Sequence, residues 1–295
     1  MAVGITPDTF HETPYITLQE YKKAPTSIDY DNLVIGGNAN AQDAELSNVI
    51  LRASSYMDEY FNANLNATKY IETQRTRFTN DGYIALHPNN SPIIALESFY
   101  YGTDPNNLIQ LSDPSTSWFE EQQIIIPLSN IATAWSSQGA LGFGGYGLPR
   151  QQVYCKYTYV SGYVNNPIAS ATAGATSLTV ERSEGIVPNQ KLRIYDGSNG
   201  ESVTVASTYT YGSTTVPLTS ALLYSHSAGS SIGNIPNAIK EACILITTAF
   251  LKIRGDNSLT MSVTQYPSQN IEGASRYGSE IKLALDIVDK YRRIR

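Results

Sequence analysis

Three histidines, His11, His87 and His226, are the side chains best suited to proton transfer or metal binding at neutral pH, and they stand far apart. None has a partner at a ligand spacing, so each reads as a surface or strand residue. His87 precedes Pro88 and reads as a turn at a strand end. Glu120 and Glu121 follow Trp118 and Phe119, a setting that suits carbohydrate chemistry. Neighbouring strand residues point to opposite faces, whereas the two carboxyls of a glycosidase must flank one bond. The pair therefore reads as a solvated turn. The run GALGFGGYG from Gly139 has the glycines of a phosphate cradle but no following Lys-Ser/Thr and no helix, so it reads as a flexible loop. There is no Gly-x-Ser-x-Gly elbow. Cys155 and Cys243 lack metal-ligand spacing, and two cysteines make no disulfide framework. Both fall on apolar faces and read as buried free thiols in a reducing compartment. The expectation is a protein that is no enzyme, with no catalytic residue, no metal ligand and no cofactor.

Composition points toward association. Charged residues make up 16% of the 295-residue chain, against about a quarter in an ordinary soluble domain. Twenty-one tyrosines, with abundant Asn, Ser and Thr, suit faces covered by neighbouring subunits. The net charge of −6 argues against a protein whose affinity rests on DNA, because phosphate binding needs clustered Lys and Arg. That charge is uneven. Residues 1–165 carry 8 basic and 16 acidic side chains, while residues 276–295 carry 6 basic and 3 acidic ones. A basic C-terminal end suits docking on an acidic surface, although Lys and Arg also answer a helix dipole there. No signal peptide opens the chain, and its longest apolar stretch, around Cys243 to Leu251, is too short to span a membrane.

Periodicity predicts the elements. Thr17 and Glu20 have capping-box spacing ahead of a short helix. Leu46, Val49, Ile50, Ala53, Met57, Tyr60 and Phe61 stripe a helix over 44–62, with Asp43 as its cap. Strands are expected over 83–88, 92–102, 124–128 and 153–163, the third at a sheet edge because of Pro127. Residues 167–234 change period and composition. Four short strands, 177–180, 191–195, 202–205 and 215–218, alternate there with glycine turns, which predicts a small barrel or sandwich. Helical period returns at Pro236, which suits a first turn, and runs to Arg254 with Ile239, Ala242, Cys243, Ile246, Phe250 and Ile253 on one side. Residues 256–278 are polar and read as an extended arm, leading to a last helix over 279–294. The predicted fold class is α+β: a mainly helical domain with a small β section, built from 1–166 and 235–295, and an inserted all-β module over 167–234.

The strand and helix that flank this insertion, YTYVSGY and IPNAIKEACILITTAFLKIRG, carry a resemblance. With Gly82, Ile84, Leu86 and Pro92 upstream, and Tyr159, Gly162 and Tyr163 in the turn, the chain resembles the head-tail adaptor (connector) proteins of long-tailed double-stranded DNA phages over roughly 15–165 and 235–258. The inserted module and the segment after Gly255 depart from that pattern. The resemblance implies a virion protein of the neck, made in the host cytoplasm and assembled into a homo-oligomeric ring of commonly twelve copies. Its partners would be the portal and a neck or tail completion protein, with no membrane, and DNA would pass through the channel without sequence-specific binding. Tyr157, Tyr159, Tyr163, Ile239, Ile246 and Phe250 are assigned to core or subunit contacts. Portal docking is assigned to the stripe Ile281, Leu285, Val288 and Tyr291 with the basic end Arg292, Arg293 and Arg295. The alternative function is binding of carbohydrate or host surface by the inserted module, with Tyr195, Tyr209, Tyr211 and Tyr224 as a sugar-stacking face.

Overall fold

The computed structural model describes residues 3–7, 13–26, 28–30, 33–77, 79, 83–120, 122–127, 152–255 and 278–292. The chain divides into two compact units. Unit 1 is Met1–Phe10 with Ala67–Tyr163, and unit 2 is His11–Asn66 with Val164–Arg295.

Unit 1 is built from strands. They are β1 (Val3–Pro7), β2 (Thr68–Arg77), β3 (Tyr83–Leu86), β4 (Ile93–Asp104), β5 (Asn107–Gln110), β6 (Trp118–Glu120), β7 (Gln123–Pro127) and β8 (Gln152–Ser161). A five-stranded antiparallel sheet has the order β1-β2-β8-β4-β5, and a three-stranded one the order β3-β7-β6. Strand β8 is central. Every residue of β2 from Thr68 to Arg77 pairs with it, and β4 pairs along its other edge. Its alternation explains its place: Val153, Cys155, Tyr157 and Tyr159 point inward and are sealed from solvent. They pack with Tyr70, Phe99, Tyr101, Ile84, Leu86, Ile124 and Ile126. Phe99 and Tyr101 stack at 5.7 Å.

One carboxylate sits in this core. Glu72, buried on β2, accepts hydrogen bonds from the hydroxyls of Tyr157 and Tyr159 and from the backbone N–H of Asn89. Burial pushes both phenols well above their ordinary pKa, and the neighbouring carboxylate adds to the effect. Both hydroxyls therefore stay protonated donors to Glu72.

Two expectations are corrected here. The host region is not mainly helical, because among the described residues unit 1 contains strands and no α-helix. Strand β2 escaped the sequence pattern since its inward positions include the charged Glu72. Strand β7 is not at an edge; it lies between β3 and β6. Pro127 is tolerated because it is the last residue, paired to Tyr83 of β3, and β6 reaches only as far as Ile125.

Unit 2 joins helices to small strands. Helix α1 (Leu18–Lys23) opens on the Thr17/Glu20 capping box. Helix α2 (Ala39–Phe61) starts five residues before the expected boundary, because the Asn38 side chain caps it by accepting from the Ala41 N–H. Asp43, expected as the cap, instead pairs with Lys22 at 2.5 Å. The helix ends at Asn62 in the left-handed conformation. Helix α3 (Asn237–Gly255) and helix α4 (Gly278–Val288) complete the set. Leu46, Val49, Ile50, Ala53, Met57 and Phe61 of α2 are buried, as are Ile239, Ala242, Cys243 and Ile246 of α3.

The remaining strands are β9 (Asn165–Pro167), β10 (Ser177–Thr179), β11 (Lys191–Tyr195), β12 (Glu201–Thr204), β13 (Thr215–Pro217) and β14 (Ser231–Gly233). They form sheets of order β12-β11-β14-β9 and β10-β13. The four strands read from the sequence are present; β9, Asn-Asn-Pro, has no apolar residue to mark it, and β14, Ser-Ile-Gly, ends in a glycine. They pair antiparallel, Asn165 opposite Gly233, and Asn234 and Val164 exchange hydrogen bonds at 3.0 and 2.7 Å. The chain thus leaves and re-enters at adjacent points. Gly233 is required there, since a Cβ would lie 2.1 Å from the Val164 carbonyl oxygen.

Module and helices meet at a buried ammonium. Lys240 of α3 donates to Glu20 Oε1 at 2.6 Å, to Asn165 Oδ1 at 3.0 Å and to Ser231 Oγ at 3.0 Å, and lies 4.1 Å from the centre of the Tyr195 ring. Burial pulls its pKa down and the Glu20 carboxylate opposes that shift. Removing one partner strands the other charge, at a cost of about 3–5 kcal/mol. Lys240→Met should therefore lower unfolding free energy by about that amount in urea titrations. Adding Glu20→Gln, which keeps the α1 cap but discards the charge, should restore more than half of the loss. A Lys240→Met chain as stable as the parent would contradict the assignment.

Candidate functional site

With no catalytic set expected, the candidate sites are surfaces and the groups that hold them. The last helix is the first of these. Ile281, Ala284 and Val288 of α4 are buried, and α4 packs along α3. Lys252 of α3 pairs with Glu280 at 2.9 Å. Beyond Val288, Asp289 accepts from the Tyr60 hydroxyl at 2.5 Å, and the Arg292 guanidinium lies 5.2 Å from the Tyr60 ring centre. Most of the apolar stripe is thus engaged within the chain. Of the residues assigned to portal docking, Ile281 and Val288 point inward, Leu285 and Tyr291 are half-buried, and Arg292 is exposed. Arg293 and Arg295 lie outside the described residues. The outward side of α4 presents Lys282, Leu283 and Asp286, with Leu283 53% exposed.

The residues assigned to core or subunit contacts fall in two places. Tyr157 and Tyr159 lie in the core of unit 1, and Tyr163 is half-buried just past the Gly162 turn, whose φ is 119°. Ile239 and Ile246 are buried in unit 2, while Phe250 is half-buried and meets the Tyr56 ring edge-on at 6.0 Å.

The sugar-stacking tyrosines of the module do not converge. Tyr195 is engaged with Lys240, and its hydroxyl donates to the Ile235 carbonyl at 2.8 Å. Tyr209 is 4% exposed and donates to the Ser213 carbonyl. Only Tyr211 and Tyr224 of the four are exposed.

His226 is the residue that sequence reasoning misjudged. It is buried, not a surface group, and it has partners on both sides. Nδ1 lies 3.1 Å from Asp196 Oδ2, and Nε2 lies 2.9 Å from Glu201 Oε1. A doubly protonated ring can donate to both carboxylates at once, whereas a neutral ring satisfies one. Asp196 also pairs with Lys23 of α1, and Glu201 accepts from the N–H groups of Leu223 and Tyr224 at 3.0 and 3.1 Å. The result is a line of hydrogen-bonded polar groups from α1 to the loop that presents Leu223, which is 73% exposed. Burial pushes both carboxyls up, but the hydrogen bonds outweigh it. Lys23, His226 and Ser230 hold Asp196 below its ordinary value, and the Leu223 N–H, His226 and the Tyr224 N–H do the same for Glu201. The sequence signal was faint: an Asp-Gly turn, a glutamate five residues on, and a histidine 25 further.

The other suspected sites resolve simply. Trp118 Nε1 donates to Glu120 Oε1 at 2.8 Å on an exposed strand, and Glu121 lies outside the described residues. His87 is exposed, and His11 and the glycine run from Gly139 lie outside the described residues. Cys155 and Cys243 are free and buried, and burial pushes the Cys243 thiol up to about 12, which leaves it unreactive. Among the described residues no group of three His, Cys, Asp or Glu side chains is placed to hold a metal ion. No helix among them is long and apolar enough to cross a membrane.

No family model and no curated protein matches the chain. Among solved structures it aligns with a chain of the neck of an empty GTA particle computed with C6 symmetry, at 9% identity and a TM-score of 0.35, over 99% of this chain and 97% of that one. At that score the likeness carries no argument about fold or function.

The two carboxyls of this line set a pH dependence. Because Asp196 and Glu201 have depressed values when folded, they bind fewer protons in the native state than in the unfolded one. Their contribution is complete above the ordinary carboxylate range of about 4 and is lost as pH falls through the depressed folded values. Glu201→Gln should cost about 1.5–3 kcal/mol at pH 7 and far less at pH 3, as read by denaturant titration of the two proteins at both values. An equal difference at both pH values would contradict the depressed value of Glu201.

Proposed function

We propose that the chain is a non-enzymatic subunit of a phage neck ring that joins the portal to the tail and lets DNA pass. The observation that carries the reading is the split strand-turn-helix signature. Strand β8 ends at the Tyr159–Gly162–Tyr163 turn, the chain departs at Val164, returns hydrogen-bonded to it at Asn234, and enters α3 three residues later. Without residues 165–233 the strand and helix would run on in the order that the adaptor resemblance implies. Low charge and many tyrosines support association as the activity.

In this reading the portal contact uses the outward side of α4 and the basic end. The inward stripe is already occupied, so Leu283, Lys282 and Arg292 are the groups left to meet a partner. Charges there set register and on-rate more than affinity.

Negative-stain imaging and native mass spectrometry of the purified chain, alone and with its cognate portal ring, test the proposal. A closed ring, alone or on the portal, is expected. Leu283→Glu with Arg292→Glu should leave the fold intact, because both side chains face solvent, and should weaken portal capture at least tenfold. A chain that stays monomeric with the portal present would overturn the reading. Capture unaffected by the double variant would remove α4 from the contact.

A further inference from the structure

The five-stranded sheet of unit 1 has a second face. Its inward side holds the tyrosine core, so alternation sends the intervening residues of β2, β8 and β4 the other way. In register they form rows: Ile71 with Thr158 and Ser98, Thr73 with Lys156 and Tyr100, Arg75 with Tyr154 and Gly102, and Arg77 with Gln152. Arg75, Arg77, Lys156 and Gln152 are exposed, and the others named, apart from Gly102, are half-buried. Unit 1 has five basic residues, Lys69, Arg75, Arg77, Arg150 and Lys156. Four of them stand on these two strands facing outward, and Arg150 is not described.

Among the described residues little acid offsets them. Lys69 is paired with Glu97 at 2.7 Å. Asp104, at the far end of β4, accepts the Asn106 N–H within its hairpin. Arg75, Arg77 and Lys156 have no ion-pair partner among the described residues, and Arg75 lies 5.4 Å from the Tyr154 ring centre. Three exposed cations thus share one sheet face of an acidic protein. Residues two apart on a strand are separated by roughly 6.6–6.8 Å, and adjacent strands by about 4.8 Å. The side chains between the cations are hydroxyl and amide donors, Thr73, Thr158, Ser98 and Gln152, with two tyrosine rings.

We infer that this face binds the phosphate backbone of nucleic acid, duplex DNA in the first place, without reading its sequence. Cations and hydroxyl donors are the groups that contact phosphate oxygens, and such contacts position a duplex while carrying no base information. Three exposed cations make the contact weak for one chain. The inference goes beyond the ring proposal and does not need it, because the face is complete on one chain.

Fluorescence anisotropy of a labelled 20-base-pair duplex of random sequence, titrated with the full chain, tests it. Three phosphate contacts predict a salt slope of about −2.7, hence a loss of affinity of about 40-fold between 50 and 200 mM salt. Arg75→Glu with Arg77→Glu and Lys156→Glu should weaken binding at 50 mM salt at least tenfold. Its melting temperature should stay near that of the parent, since all three side chains face solvent. Lys191→Glu with Arg193→Glu, a reversal on β11 of the module, should leave affinity within about twofold, because only local charge counts in this reading. The inference is overturned if the parent fails to bind the duplex at 50 mM salt, or if the triple variant binds as well as the parent. Binding of polyglutamate in place of the duplex would also overturn it, in favour of an acidic protein partner.

Discussion

A single buried ammonium fixes how unit 2 is put together. Lys240 reaches α1 through Glu20, β9 through Asn165, β14 through Ser231 and β11 through the Tyr195 ring. Glu20 in turn caps α1 through the Thr17 N–H at 2.7 Å. Desolvating an ammonium costs several kcal/mol, and only a full set of acceptors offsets that cost. The arrangement that supplies them is the one in which the module's entry and exit strands lie against the helices. A second polar line, Lys23–Asp196–His226–Glu201, runs from the same short helix to the far side of the module. Six residues of α1 therefore hold both lines, which explains why so short a helix carries Tyr21 fully buried beside them.

Unit 1 repeats the device in milder form. Glu72 lies among aromatic rings and takes two phenol hydroxyls and a backbone N–H. It ties β2 to β8 on the inward side of the sheet, while the outward side keeps the cations. One strand, β2, thus carries a buried anion and exposed cations at alternate positions, with Glu72 inside and Arg75 and Arg77 outside.

The helices and four of the module strands, β10 to β13, were legible because their apolar spacing is regular and their turns are marked by glycine. Thr17 and Glu20 announced their capping box. What the sequence hid was polar burial. Glu72 interrupts the apolar alternation of β2, and that strand was not read from the sequence. Lys240 lies outside the apolar stripe read for its helix, yet it is sealed by residues from 75 positions before it and 9 before it. His226 looked isolated because its partners stand 25 and 30 residues away, across a sheet that only folding brings together. The apolar stripe of α4 could be read as a docking face or as a packing face with equal ease from spacing alone. Its burial against α3 decides for packing at Ile281 and Val288, and leaves the outer side for a partner.

The claim that the module and the helices form one structure through Lys240 is tested most directly by native-state hydrogen exchange of the full chain. Amides of β11 and β14 should open with the same free energy and denaturant dependence as those in the middle of α2 and α3, and Lys240→Met should lower all of them together. Module amides that exchange through a separate, lower-energy opening, unchanged by Lys240→Met, would contradict the account.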